Sequence, residues 1–262
     1  MKPQEMPIFE RCIPHFMPFQ KLKLRLRARK YQRKTDPGGI AFLRQTLLPG
    51  QCAFDIGAHR AGYLYHMMDC VGSSGYVHAF EPQSALYDYI SRVKPLMGWQ
   101  NLRLEHLALS DRIGKVTLHI PVNKVNKGSS PGASIVEGVA SGEIALRETV
   151  PMDTLDGYCE RNKVIPDFLK VDVEGNELNV FKGGAGVLLE HKPAILVEIE
   201  ERHIGRQQME ETFQWLRDCG YEGHFIRGHE RLPLSAFSVE QHQDTRGEGP
   251  YCNNFTFTAG RK

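Results

Sequence analysis

No run of apolar residues in this chain approaches the roughly 18 that a membrane-spanning helix needs. The opening "MKPQEMPIFERCIPHF" lacks the apolar middle and small-residue cleavage site of a secretory signal. The six cysteines (Cys12, Cys52, Cys70, Cys159, Cys219 and Cys252) lie far apart, and no two form a C-x-x-C pair. That spacing fits neither a zinc site nor a disulfide framework, so reduced thiols and a cytoplasmic location are expected. Internal repeats are missing, as are linkers long enough to separate domains. Between residues 21 and 34 there is not one acid.

What is present fits one large globular domain. The chain has 262 residues, 41% hydrophobic and 24% charged. Its net charge of +2 hides an asymmetry, because "KLKLRLRARKYQRK" carries Lys21, Lys23, Arg25, Arg27, Arg29, Lys30, Arg33 and Lys34. The remainder is therefore net acidic. Such a stripe suits phosphates, an anionic membrane surface or an acidic substrate, and the plainer account is a solvated face. Leu22, Leu24 and Leu26 alternate as in a strand, whereas a helix scatters them around its circumference, so the structure of this segment stays open. Peripheral contact with an anionic or membrane surface through residues 21–34 is one expectation. Sequence-specific nucleic-acid binding is not, because the interior offers no interleaving of aromatic and basic residues for base stacking.

From residue 37 onward strands alternate with helices. "QCAFDIGAH", "GYVHAFEP", "NLRLEHLALS", "KVTLHIPV", "DFLKVDV", "AILVEIE", "HFIRG" and "NFTFT" read as strands. Helical spacing appears in "GYLYHMMDCV", "SALYDYISRVKPL" and "QQMEETFQWLRDCG", and in "NELNVFKGGAGVLLE" with a break at Gly183-Gly184. Residues 123–148 read as an irregular insertion with one hairpin. This pattern predicts a parallel sheet covered on both faces, an α/β domain over residues 37–262 behind a basic N-terminal extension, 1–36.

Ligands of open α/β sheets bind beyond the carboxyl ends of the strands, where strand order reverses. After the first strand comes "DIGAHRAG". Gly57 and Gly62 have Walker-loop spacing, but Tyr63-Leu64 replace the lysine and hydroxyl that phosphates and Mg²⁺ require. A dinucleotide loop needs glycine at position 59, where this chain has histidine. S-adenosylmethionine makes different demands: an acid near its cationic end and a close turn around the methionyl part. Asp55 and Gly57 suit these. Glu81, ending the second strand, can accept both ribose hydroxyls. An N-cap for Asp55 and a loop acid for Glu81 are the bland readings of each alone. At the ends of consecutive strands, with a glycine turn between, the pair points to a cofactor site. Ser110 and Asp111 follow the third strand, where an adenine edge is expected, although Ser-Asp is also ordinary turn chemistry. The strand "FLKVDVEGNEL" runs into Asp172, Glu174 and Glu177, and the next runs into Glu198, Glu200, Glu201 and His203. Asp172, Glu174 and His203 are candidate bases for a hydroxyl proton. Glu177 reads as an acid answering only to a helix dipole. Mg²⁺ held by Asp172 with Glu174 or Glu198 is a variant, and no residue is assigned as a metal ligand.

"FDIGAHRAG", "VHAFEP", "LALSD", "MDTLD", "LKVDVEGNE" and "ILVEIEERH" occur in an order that resembles the FkbM-type S-adenosylmethionine-dependent methyltransferases. The resemblance covers roughly residues 40–258 and implies a doubly wound, mostly parallel, seven-stranded sheet (class I, Rossmann-like) with its last strand antiparallel. It implies methylation of a hydroxyl on a sugar, glycan or polyketide-like small molecule. By the same motifs Asp55, Gly57, Ala58 and Gly62 would surround the methionyl part, Glu81 the ribose, and Ser110 and Asp111 the adenine. Asp172 would stand below the methyl. His59-Arg60 departs from the family's usual Asn-Ile-Gly pattern, and a cation at Arg60 is expected to point away from a cationic cofactor. An NAD(P)-dependent oxidoreductase on a related sheet is the alternative.

Overall fold

The computed structural model describes residues 13–121, 145–244 and 249–259. Helix α1 (Ile13–Lys30) runs through a π-helical turn (Tyr31–Thr35) into α2 (Pro37–Thr46). Asp36 caps α2 by accepting the Gly39 N–H at 2.8 Å, and Pro37 starts it with a preset φ. Then follow β1 (Cys52–Ile56), α3 (Gly62–Val71), β2 (Tyr76–Phe80), α4 (Ser84–Met97) and β3 (Leu102–Glu105). Strands β4 (Ala108–Ser110), β5 (Gly114–Pro121) and β6 (Ala145–Thr154) lead to α5 (Leu155–Asn162) and β7 (Phe168–Val171). The chain continues with α6 (Glu177–Lys182), α7 (Ala185–Glu190), β8 (Ala194–Glu198) and α8 (Glu201–Asp218). It ends with β9 (Tyr221–Arg227), β10 (Glu230–Pro233), α9 (Val239–His242) and β11 (Asn254–Ala259).

The main sheet has the order β10-β9-β11-β8-β7-β1-β2-β3. β3, β2, β1, β7 and β8 are parallel neighbours, and the final strand β11 runs antiparallel between β8 and β9. The chain leaves β1 towards β2 and β3, then returns to place β7 and β8 on β1's other side. The reversal therefore lies at β1, and the carboxyl ends of β2, β1, β7 and β8 border one crevice. Core residues sort by strand alternation. Phe54, Leu169 and Ile195 fill one face, and Ala53, Phe168 and Leu196 fill the other under α1 to α4.

The structure adds three features to the sequence pattern. β10 extends the sheet to eight strands; its four residues, "ERLP", are mostly exposed and carry no alternation to read. "NLRLEHLALS" is two strands, because β3 stays on β2 while β4 leaves to join β6 and β5 in a second sheet. β6 begins inside the expected insertion, at Ala145, and forms a hairpin with β5; residues 122–144, the rest of that insertion, lie outside the described residues. The break at Gly183-Gly184 is present as the junction of α6 and α7. A Cβ on Gly183 would lie 2.0 Å from the Ser110 carbonyl oxygen, so only glycine lets β4 approach.

The basic segment is helical. Leu24 and Ala28, one turn apart, are buried against α3, whereas Leu22 and Leu26 are exposed. Arg27 Nη1 donates to the Arg60 carbonyl at 2.8 Å and to Tyr89 Oη at 3.0 Å, tying α1 to the first loop and to α4. No helix among the described residues is long and apolar enough to cross a membrane. Cys52, Cys70, Cys159, Cys219 and Cys252 are free thiols.

Candidate active site

A cavity of about 300 Å³ opens in the crevice at the strand ends. Ile56, Phe80, Leu107, Leu109 and Leu118 give it an apolar slot. Around that slot stand His59, Glu81, Asp172, Glu174, Glu198 and Asn253. An apolar pocket with a few convergent polar groups is the usual form of a cofactor site.

The first loop is held by backbone contacts. Gly57 has φ +87°, and a Cβ there would lie 1.9 Å from the Asp172 carbonyl oxygen, so the β1 and β7 loops touch where only glycine fits. The Gly57 and Ala58 N–H groups both donate to Phe80 O. His59 follows at φ 46°, a left-handed conformation unusual for a residue other than glycine. Glu81 Oε2 accepts the His59 N–H at 2.6 Å, and Oε1 accepts the Gln83 N–H at 2.8 Å. Its carboxylate thus staples the loop and keeps lone pairs for a diol. Burial pushes the Glu81 carboxyl up to about 8, against the downward pull of those two N–H donors. Burial likewise lowers His59 to about 4, and its buried Nε2 has no partner among the described residues.

Three first-loop residues lie behind the cavity rather than in its lining. Ala58 is buried. Gly62 faces Tyr31, whose ring a Cβ would meet at 2.7 Å. Asp55 is 2% exposed and sits opposite Lys170 in the β1–β7 register. Its Oδ2 lacks a partner among the described residues, and burial raises its carboxyl to about 7. The Arg60 carbonyl is what meets Arg27.

Lys170 is the group that the sequence pattern hid. It is 1% exposed, with Nζ 3.2 Å from Asp172 Oδ2 and 5.1 Å from the centre of the Tyr63 ring. Burial works against its charge, but the carboxylates of Asp172, Glu198 and Asp55 outweigh it and hold the ammonium above its usual range. Tyr63 in turn donates from Oη to Asp36, the α2 cap. Lysines in strands are ordinarily solvated; the only signal was its position between Leu169 and Val171 in an unbroken apolar strand.

The loop after β7 is strained and braced. Glu174 and Gly175 have φ 52° and 102°, and Glu177 Oε1 accepts the N–H groups of Val173 at 3.3 Å and Gly175 at 3.0 Å. Glu177 is therefore more than an acid answering a dipole, for it holds the turn that presents Asp172 and Glu174. Burial, reinforced by the Asp172, Glu177 and Glu200 carboxylates, raises Glu174 to about 9. His203 Nδ1 lies 3.4 Å from Glu174 Oε2, and burial lowers its pKa. Both shifts favour a neutral carboxyl beside a neutral imidazole rather than an ion pair. His203 buttresses Glu174 from outside the cavity lining.

At the end of β8, Asn253 Nδ2 donates to Glu198 Oε1 at 2.6 Å and to Glu200 Oε1 at 2.9 Å. Burial and the nearby Asp172 charge push Glu198 well up. Glu200 is also buried, but Asn253, Glu198 and Arg202 overcome that and hold it down. Glu198 thus keeps the proton and Glu200 the charge. Ser110 is buried outside the lining, donating to Asp111 Oδ1 and accepting from Asn176 Nδ2, each at 3.3 Å. The third-loop groups that do line the cavity are Leu107, Ala108 and Leu109, together with Asn176. Asn253, Asn254 and Tyr31 lay outside any motif, and Asn176 lay inside "LKVDVEGNE" without an assigned role. Tyr31 in particular comes from a segment with no local signal for a site.

Glu81 gives a pH test. Its folded-state pKa of about 8 lies above the ordinary 4.5, so its contribution to stability without ligand is full below 4.5 and is lost as pH rises through 8. A ribose diol needs the ionised acceptor. S-adenosylmethionine affinity is therefore expected to rise up to tenfold per pH unit below about 8 and then level off. Calorimetric titrations across this range check it, and Glu81→Gln should flatten the profile.

The residues present fit S-adenosylmethionine: an apolar slot for the adenine, Glu81 for the ribose, and the unpartnered His59 Nε2 and Asn254 Oδ1 as buried polar atoms in its walls. The methyltransferase FkbM from Methylobacillus flagellatus KT has the same fold, with a TM-score of 0.51 and 13% identity over 94% of this chain. The present chain spans 59% of that protein's length. A second similar structure is a SAM-dependent methyltransferase from Aquifex aeolicus, with 13% identity, a TM-score of 0.47, and coverage of 91% of this chain and 97% of that one. A search of curated proteins gave no significant match. Residues 55–222 match the Methyltransferase FkbM domain, a stretch that holds the carboxyl ends of β1, β2, β7 and β8, whereas most of β9 and all of β10 and β11 follow it. That match sets aside the nicotinamide alternative, and S-adenosylmethionine is the cofactor. The chain belongs to the FkbM methyltransferase family.

Proposed function

We propose that the protein methylates a hydroxyl oxygen of a polyhydroxylated acceptor, a sugar or glycan residue or a polyketide-like small molecule, with Asp172 taking the hydroxyl proton. The observation that carries this reading is the cavity-lining Asp172 carboxylate 3.2 Å from the Lys170 ammonium. A base must be ionised when the acceptor arrives. Burial and neighbouring carboxylates hold Glu174 and Glu198 above the usual carboxylate range, His203 lies outside the lining, and Asp172 is the lining carboxylate beside an ammonium. Protonated Glu174 and Glu198 can each donate and accept, as can the amides of Asn253 and Asn254, and this suits an acceptor bearing several hydroxyls. When bound, S-adenosylmethionine supplies an electrophilic methyl whose bond to sulfur breaks as the bond to oxygen forms.

The test is transfer of a labelled methyl from S-adenosylmethionine to a library of glycans and hydroxylated small molecules, with the product mapped by mass spectrometry. One added methyl on oxygen is expected. Label found only on nitrogen or carbon acceptors would overturn the reading. Turnover measured with and without a chelator separates this reading from one in which Asp172 with Glu174 or Glu198 holds Mg²⁺.

A further inference from the structure

We infer that the outer face of α1 is a docking surface for an anionic lipid bilayer. Helix α1 has two apolar faces, and among the described residues the fold buries only one. At 3.6 residues per turn, Leu24 and Ala28 point into the core, at 0% and 1% exposure. Leu22 and Leu26 point the opposite way, each 53% exposed, and Phe19 on the same stripe is 59% exposed. Scattered surface leucines are ordinary, but a stripe at i, i+3 and i+7 along one helix is not scatter.

The flanks identify the partner. Arg25 and Arg29 border the stripe on one side, Lys23 and Lys30 on the other, and all four are exposed. Arg33 and Lys34 continue the exposed charge through the π-helical turn, and no acid interrupts residues 21–34. An apolar strip between two rows of long cationic side chains is the arrangement of a helix lying in a bilayer interface. There the strip enters the acyl boundary while the cations reach up to lipid phosphates. A nucleic acid would use the cations but would gain nothing from the leucines. The next residue after Lys30 is Tyr31, which lines the cavity, so a bilayer bound on α1 lies next to the wall of the active site.

Vesicle sedimentation of the full chain tests this without any methyl transfer. Binding is expected to phosphatidylcholine–phosphatidylserine vesicles of about 7:3 composition at physiological salt, and weakly or not at all to phosphatidylcholine alone. Arg25→Gln with Arg29→Gln and Lys30→Gln should lower partitioning roughly a hundredfold, about fivefold per cation. Leu22→Ser with Leu26→Ser should lower it at least about tenfold at unchanged charge. Each variant is expected to keep the wild-type unfolding temperature and S-adenosylmethionine affinity, because these side chains are exposed and none lines the cavity. A Leu22→Trp variant gives a second readout: its emission should shift to the blue on adding the anionic vesicles. Absence of sedimentation with the anionic vesicles overturns the proposal. So does full binding by the leucine variant, which would mean charge attraction alone, or a duplex oligonucleotide retained where vesicles are not.

Discussion

Asp172→Asn should lower kcat by about 10²- to 10⁴-fold, the usual worth of a positioned proton acceptor, and leave S-adenosylmethionine affinity within a few-fold of wild type. Asparagine keeps the shape of the side chain and its place beside Lys170, so the loop braced by Glu177 should not move. What it loses is the ability to take a proton. Because that interaction is made only in the transition state, kcat and kcat/KM should fall together. A side effect separates this role from a structural one. Asp172 is among the charges raising Glu174 and Glu198, so removing it should bring both down and shift the alkaline limb of the rate profile to lower pH. Steady-state rates with the acceptor found by methyl labelling, over a range of pH, check both points. Turnover within about threefold of wild type would assign the proton to another group.

Lys170→Met should act on the fold itself. It strips the cation from Asp172, Glu198 and Asp55, and breaking a buried pair by removing one partner costs about 3–5 kcal/mol. At roughly 2–4 °C per kcal/mol for a domain of this size, the unfolding midpoint should drop by about 10 °C. The loss should be smaller below about pH 6. Asp55, already raised to about 7, then carries a proton and no longer needs the ammonium. A methionine variant as stable at alkaline as at acidic pH would contradict the network. Combining it with Asp172→Asn should cost less than the two separate losses added, since each removes part of one interaction.

What could be read beforehand follows from where the information sits in the chain. Asp55, Gly57, Glu81, Asp172 and Glu198 each end a strand of alternating or continuous apolar residues, and the rule for parallel sheets sends such ends to one edge. The fold brings Gly57, Glu81, Asp172, Glu174 and Glu198 to a common cavity, whereas Asp55 drops beneath its floor. The difference between lining and floor is a matter of strand rotation and depth, which spacing does not encode. Lys170 escaped notice because a lysine looks the same in sequence whether it reaches water or three carboxylates at the strand ends. Tyr31 and Asn253 are brought in by tertiary packing from either end of the chain, and nothing in their immediate neighbours signals it. The two leucine faces of α1 illustrate the same limit: alternation suggested a strand because two opposed helical faces, spaced two residues apart, mimic one.

Tyr31, Thr35 and Asp36 form one wall of the cavity, yet they precede residue 55, where the stretch shared with the family begins. The cofactor side is built from strand ends that the sheet fixes in place, while this wall hangs on a single turn between two helices. Asp36 is tied down as the α2 cap and the acceptor of Tyr63 Oη, and Tyr31 packs on Gly62, whereas Thr35 is exposed. A substitution at Thr35 therefore reshapes this wall without touching the strands, and it is the natural first position to vary.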